Sequence, residues 1–166
     1  MVTIRKSQAG DEKAIRDLII GIMALEFPEE ASTFPTSDLE DVGTSYGNLG
    51  EAFFVAATNG KIVGTVAVKQ EDKRTAMLRR LFVDSKSRRK KIGSQLIDRA
   101  IQFCREVGYD ELIFKTTSTM KNAVQLCEKK GFVSKARLDL GPVQLLKFAL
   151  FLKSEAVLPQ GKANSL

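Results

Sequence analysis

The stretch that most constrains this chain is residues 77–103, MLRRLFVDSKSRRKKIGSQLIDRAIQF. Its first part, up to Val83, reads as a strand. From Ile92 the apolar residues change to helical spacing: Ile92, Leu96, Ile97, Ala100, Ile101 and Cys104 share one face. Between the two lies a turn, residues 85–91, with five cations in seven positions: Lys86, Arg88, Arg89, Lys90 and Lys91. A strand therefore delivers the chain into a basic turn that opens straight into a helix. The first amides of a helix lack an internal partner and the helix dipole is positive there, so this geometry suits an anion. Cations at a helix start oppose the dipole unless something negative sits among them. Most charge runs are simply solvated, but this one is framed by ordered elements. Gly93, just inside the helix, has no Cβ and lets a backbone or ligand approach closely.

The net charge collects at the same place. Residues 73–91 hold nine Lys or Arg against one acid, Asp84, so this segment carries +8 and the rest of the +6 chain carries −2. Residues 17–60 contain no Lys or Arg and eight acids: Asp17, Glu26, Glu29, Glu30, Asp38, Glu40, Asp41 and Glu51. A protein that follows a nucleic-acid backbone spreads cations along a stripe and interleaves aromatics. Here Phe82 is the only aromatic in the cluster, so nucleic acid is not the expected partner. The absence of histidine removes the commonest metal ligand and general base, and no metal is expected. Cys104 and Cys127 both fall in helical patterns, which suggests free thiols in a reducing compartment. No stretch is long enough to span a membrane, and the N-terminus lacks the form of a signal peptide. The expected location is cytoplasmic, without a membrane partner.

A length of 166 residues suits one domain with a real core. Residues 2–6 alternate as a strand. A helix starts at Gly10-Asp11, with Ile15, Leu18, Ile19, Ile22 and Met23 on one face, and stops before Pro28. Thr36 or Ser37 is placed to cap a second helix over residues 38–46. Residues 52–58 and 61–69 form a hairpin around Asn59-Gly60. A strand at 75–83 leads to the helix at 92–107, which Gly108 ends. A strand at 111–116, a helix at 120–130 and two strands at 133–138 and 143–152 follow. The last strand is either core or a homodimer contact. Residues 153–166 read as a polar, disordered tail.

Two segments carry a family resemblance. Leu78, Leu81, Val83, Arg88 and Gly93 resemble motif A of the GNAT superfamily of N-acetyltransferases, a strand L-x-x-L-x-V followed by Q/R-x-x-G-x-G/A and a helix. Lys91 stands where that motif has its middle glycine. Residues 122–132, NAVQLCEKKGF, are similar to the family's motif B, N-x-x-x-x-L/Y-Y-x-x-x-G-F, with Cys127 in place of the tyrosine. The resemblance implies one α/β domain over residues 1–152, with a central mixed sheet and helices on both faces. It also implies that the parallel strands at 77–83 and 111–116 splay apart to admit acetyl-CoA as co-substrate.

Carried over by position, the resemblance gives each matched residue a role. The amides of residues 89–94 (Arg89, Lys90, Lys91, Ile92, Gly93, Ser94) would hold the diphosphate, with Arg88 among the surrounding charges. Val83 and its neighbour Phe82 would run along the pantetheine arm, Val83 bonding it through its backbone as a strand would. The Leu81 amide would stabilise the developing oxyanion, and Asn122 would contact the arm or a phosphate. Family members often carry a Glu where this chain has Met77, so the general base is unassigned, with Glu26 a candidate alongside Glu29 and Glu30. Cys127 and Tyr46 are the general-acid candidates. The expected reaction is direct attack of a primary amine, on a small molecule or a peptide, in a ternary complex. The acidic segment at 17–60 suggests a cationic amine. A domain that binds or senses acyl-CoA without turnover is the alternative.

Overall fold

The computed structural model describes residues 1–30 and 33–153. Seven strands make one mixed sheet: β1 (Thr3–Lys6), β2 (Ala52–Thr58), β3 (Lys61–Gln70), β4 (Thr75–Val83), β5 (Glu111–Thr117), β6 (Val133–Asp139) and β7 (Gln144–Phe151). Their order across the sheet is β1-β2-β3-β4-β5-β7-β6. All neighbours are antiparallel except β4 and β5. Helices α1 (Glu12–Glu26) and α2 (Val42–Ser45) cover one face, and α3 (Ile92–Val107) and α4 (Lys121–Lys129) cover the other. This is the element order the sequence predicts. Beyond Lys153, the expected tail lies outside the described residues.

With both faces covered, the central strands have no polar side to show. Along β2, Phe54 and Ala56 enter the layer under α3, while Phe53 and Val55 enter the layer under α1. That is why residues 52–58 read as a continuous apolar run and not as an alternating one. The β2–β3 turn has left-handed φ at both Asn59 (52°) and Gly60 (76°), the geometry that makes Asn-Gly a hairpin signal. Helix α3 buries Ile92, Leu96, Ile97, Ala100, Ile101 and Cys104, the face its spacing predicts. Gly108, at φ 101°, ends it, and the amides of Gly108 and Tyr109 return to the Cys104 carbonyl at 3.0 and 3.1 Å. The helix lies so close to β3 that a Cβ on Gly64 would sit 2.9 Å from Leu96 Cδ1 and 3.2 Å from the Phe82 carbonyl oxygen.

Two expectations change. The second helix, expected over 38–46, is two pieces: a 3-10 turn at Ser37–Glu40 and α2. Asp41 separates them, because its side chain accepts from the Thr44 amide at 3.1 Å and so caps a new helix. Neither Thr36 nor Ser37 supplies the cap: Thr36 precedes the 3-10 turn without a side-chain bond. The final strand, considered as a homodimer contact, is internal: β7 is paired with β5 on one side and β6 on the other. The sheet edge on that side is β6.

Strand β4 slips phase once. Ala67 pairs with Arg79 and Thr65 with Phe82, so β4 carries one residue more than β3 across the same interval. Arg80 takes up the excess at φ 56°. Before the slip, Ala76 and Leu78 face the α3 layer. After it, Leu81 and Val83 face that layer, while Phe82 packs on the α1 layer. A left-handed φ at a non-glycine residue costs about 1–3 kcal/mol unless the surroundings impose it. Here Thr65 Oγ1 donates to the Arg80 carbonyl at 2.7 Å, and the buried Arg80 side chain donates to Asp38 and to the Pro35 carbonyl.

Candidate active site

Strands β4 and β5 pair only where Thr75, Ala76, Met77 and Leu78 meet Glu111, Leu112, Ile113 and Phe114. Beyond that point β5 stays with β7 as far as Thr117, and β4 stays with β3. The two parallel strands therefore part. The Asp84 amide bonds the Val63 carbonyl on the β3 side at 2.8 Å. Backbone groups alternate along a strand, so those of Val83 and Leu81 point into the gap. A cleft of about 1220 Å³ opens there. Its walls include Leu81, Phe82 and Val83 from β4, Ile22, Glu26 and Phe27 from the α1 side, and Thr119, Met120 and Asn122 from the β5–α4 side.

The basic turn forms one end of the cleft. Arg89 (φ 69°) and Lys91 (φ 61°) are both left-handed, with Lys91 in the last position before α3. Alternating handedness of this kind gathers successive amides into an anion-binding concavity, and the free amides of α3 follow directly. Lys91 thus adopts the conformation for which the resembled motif uses glycine. The departure puts a side chain in a left-handed conformation, which costs local strain. Gly93 sits in a tight place: a Cβ there would lie 3.1 Å from Leu126 Cδ2 and 3.7 Å from Val83 Cγ2, so Leu126 would have to give by a few tenths of an ångström. Among the described lining residues, Glu26 is the one acid against Arg88, Arg89, Lys91, Lys121 and Lys129.

Ten of the eleven residues expected to bind the co-substrate line this cleft: Leu81, Phe82, Val83, Arg88, Arg89, Lys91, Ile92, Gly93, Ser94 and Asn122. Lys90 is exposed outside it. Asn122 is the second residue of α4 and is exposed; the residue before the helix, Met120, makes no side-chain cap.

Arg88 has a different task from the one its position suggested. Its two terminal nitrogens donate to both Glu26 carboxylate oxygens, at 2.8 and 3.0 Å, and its Nε donates to the Val83 carbonyl at 3.1 Å. This fork braces the end of α1 against the end of β4. It also occupies Glu26, the base candidate, on both oxygens, and it takes the Val83 carbonyl while leaving the Val83 amide.

The general-acid candidates lie off the cleft. Tyr46 is 5% exposed and donates to Asp38, which is also held by Arg80. Burial first, then the bond to Asp38, pushes the Tyr46 phenol far above its ordinary range. Burial alone would raise the Asp38 carboxyl, but hydrogen bonds from Arg80 and Tyr46 hold it below the usual carboxylate value. Cys127 is fully buried in the α3–α4 layer, donates to the Val124 carbonyl at 3.3 Å, and is pushed up to about 12 by burial. Tyr46 and Cys127 are held by these structural contacts, and neither lines the cleft.

The three clustered glutamates also separate. Glu26 is braced, Glu29 is exposed, and Glu30 is 1% exposed on the hydroxyls of Thr117 and Thr119. Elsewhere in the acidic segment Asp38 holds Arg80, Asp41 caps α2, and Glu51 holds Lys69 and the Gln70 amide. The acids that suggested a cationic acceptor are largely committed inside the fold, so that argument loses most of its charge. Sequence reading missed the α1 wall, Ile22 and Phe27, and the β5–α4 wall, Thr119 and Met120. Ile22 sits on the buried face of α1, where function and packing give the same pattern.

A family model described as "Acetyltransferase (GNAT) family" matches residues 19–132. Human N-acetyltransferase 8 is 35% identical over 102 residues, 58% of this chain and 45% of that protein. The probable N-acetyltransferase camello of Xenopus tropicalis is 31% identical over 129 residues, 76% of this chain and 58% of that protein. The chain thus spans about half the length of these curated relatives. Among solved structures, yncA of Salmonella typhimurium, described with its cofactor acetyl-CoA, superposes with a TM-score of 0.77 at 19% identity, covering 94% of this chain and 96% of that one.

Proposed function

Because this chain belongs to the acetyltransferase (GNAT) family, we propose that it is an N-acetyltransferase that uses acetyl-CoA to acetylate a primary amine. The observation that carries this reading is the cleft at the parting of β4 and β5. It joins two apolar walls to a turn whose amides converge beside a surplus of cations. Those residues fit a ligand with a slender, mostly apolar arm and a strongly anionic end. The resolved structure of yncA with acetyl-CoA supports the same ligand class.

When bound, acetyl-CoA supplies the activated acetyl group. The chain's own residues do the rest. The amides of residues 89–94, with Arg89 and Lys91 beside them, orient the diphosphate. The Val83 amide, free of β5, aligns the arm as an added strand would be aligned. The Leu81 amide faces the same gap and favours negative charge where the acyl oxygen gathers it. Ile22, Phe27, Phe82 and Met120 exclude water, which strengthens each of these dipoles. Much of the acceleration then comes from holding both reactants in line. The acceptor is a primary amine on a small molecule or a peptide. The two free, buried thiols, Cys104 and Cys127, fit a cytoplasmic setting.

A second reading, an acyl-CoA sensor without turnover, is favoured by Met77 on the strand and by the burial of Cys127. Calorimetry with acetyl-CoA, followed by thiol release across a panel of amines, separates the two. Saturable heat with amine-dependent release is expected. Heat without release from any amine would support the sensor, and no heat with any CoA derivative would overturn both.

A further inference from the structure

Glu30 is a carboxylate buried to 1% exposure, and among the described residues no Lys or Arg pairs with it. A buried charge needs hydrogen bonds to be tolerated. Two are present: Thr117 Oγ1 donates to Glu30 Oε2 at 2.8 Å, and Thr119 Oγ1 donates to the same oxygen. Thr117 is itself fully buried at the end of β5. Thr119, two residues on, is exposed and lines the cleft. Loop anchoring accounts for Thr117. It does not account for spending the hydroxyl of a cleft-lining residue on the same buried charge.

A hydroxyl has one proton to give. Thr117 Oγ1 and Thr119 Oγ1 also lie 3.1 Å apart, and when both hydroxyls donate to Glu30 Oε2, Thr119 Oγ1 meets the cleft with a lone pair free to receive an N–H. We propose that Thr119 is the hydrogen-bond acceptor for the attacking amine, and that Glu30 positions it and takes up the proton. An alkylammonium must lose one proton before it can attack. That proton passes to Thr119 Oγ1 as the Thr119 proton passes to Glu30, so the amine becomes neutral and the carboxylate becomes a carboxylic acid. The C–N bond then forms as the C–S bond breaks, the second proton leaving nitrogen passes through water to the departing thiolate, and Glu30 returns the first proton to solvent through Thr119. This assignment rests on the proposed acetyl transfer and fills the role that Met77 cannot.

The test measures amine kcat and KM by thiol release, acetyl-CoA affinity by calorimetry and melting temperature, for Thr119→Val, Thr119→Ser and Glu30→Gln. Thr119→Val keeps shape but removes the acceptor, so kcat/KM for the amine should fall about tenfold or more. Acetyl-CoA affinity should stay within about twofold. Thr119→Ser should restore most of the loss, and Glu30→Gln should lower kcat more than it raises the amine KM. A purely structural cluster predicts otherwise: folded Thr119→Val protein would keep its amine kcat/KM within about twofold, and that result overturns the proposal alone. If Glu30→Gln does not fold, the Thr119 pair decides, because Thr119 is exposed. Wild-type protein that binds acetyl-CoA but releases no thiol with any amine overturns this assignment together with the acetyl-transfer reading.

Discussion

The two faces of the sheet are held by different forces. Under α3 and α4 the contacts are almost wholly apolar: Phe54, Val66, Leu78, Leu96, Ile97, Leu112 and Phe114 meet there, with two thiols that behave as small hydrophobes. Under α1 and α2 a smaller apolar layer around Ile15, Ile19, Leu39 and Val55 is fastened at its rim by polar ties. These are Arg80 with Asp38 and Tyr46, Arg88 with Glu26, and Glu30 with two threonines. Apolar burial is strong but has no direction. Hydrogen-bonded charges add little net stability but fix geometry. The α3 side therefore fixes where the anion cradle stands, while the α1 side fixes how the opposite wall of the cleft is aimed.

The sharpest way to break this contrast is to cut one tie on the polar side. Asp38→Ala leaves Arg80 buried and uncompensated and should cost about 3–5 kcal/mol in urea unfolding at pH 7. Its cost should also depend on pH. The folded-state pKa of Asp38 is depressed, so its contribution is complete above the unfolded value of about 3.9 and fades as pH falls through the folded one. The gap between wild type and Asp38→Ala should therefore narrow below about pH 4. On the apolar side, Leu96→Ala should cost about 2–5 kcal/mol, with a gap that does not move between pH 7 and pH 3. Equal pH dependence in the two variants would dissolve the distinction. The smallest effect lies at the cradle. Lys91→Gly relieves a left-handed side chain and should gain up to about 1 kcal/mol in the same assay, while calorimetry should show weaker acetyl-CoA binding from the lost cation.

The sequence is most legible where local chemistry and tertiary structure agree. The Asn59-Gly60 hairpin, the α3 stripe and the Gly108 stop each follow from spacing and φ alone, and each stands at its expected residues. The cleft's basic end was legible for the same reason, since strand, turn and helix are contiguous. What escaped depends on distant partners. Nothing near Arg88 announces Glu26, 62 positions away, and nothing near Glu30 announces Thr117 and Thr119. Tyr46 looked reactive because its burial against Asp38 and Phe53 has no local signature. The second helix was drawn too long because Asp41 is an ordinary polar residue until its side chain turns to Thr44. The phase slip in β4 did leave a trace. Leu78 and Leu81 are three apart, a spacing that a strand of period two can place on one face only with an extra residue between them.

That slip decides where the chain can change length. Removing Arg80 would restore strict alternation with Leu78 and Leu81 still in one layer, whereas pulling the slip flat at the present length would turn Leu81 to the other face. In the second case the amides that now look into the gap would trade places with those that bond β3. Adding a residue in the exposed turn at 71–74 disturbs neither. The wall of the cleft is in this sense a counted object: which amides face the gap depends on the parity of pairing steps between two leucines more than on which side chains stand there.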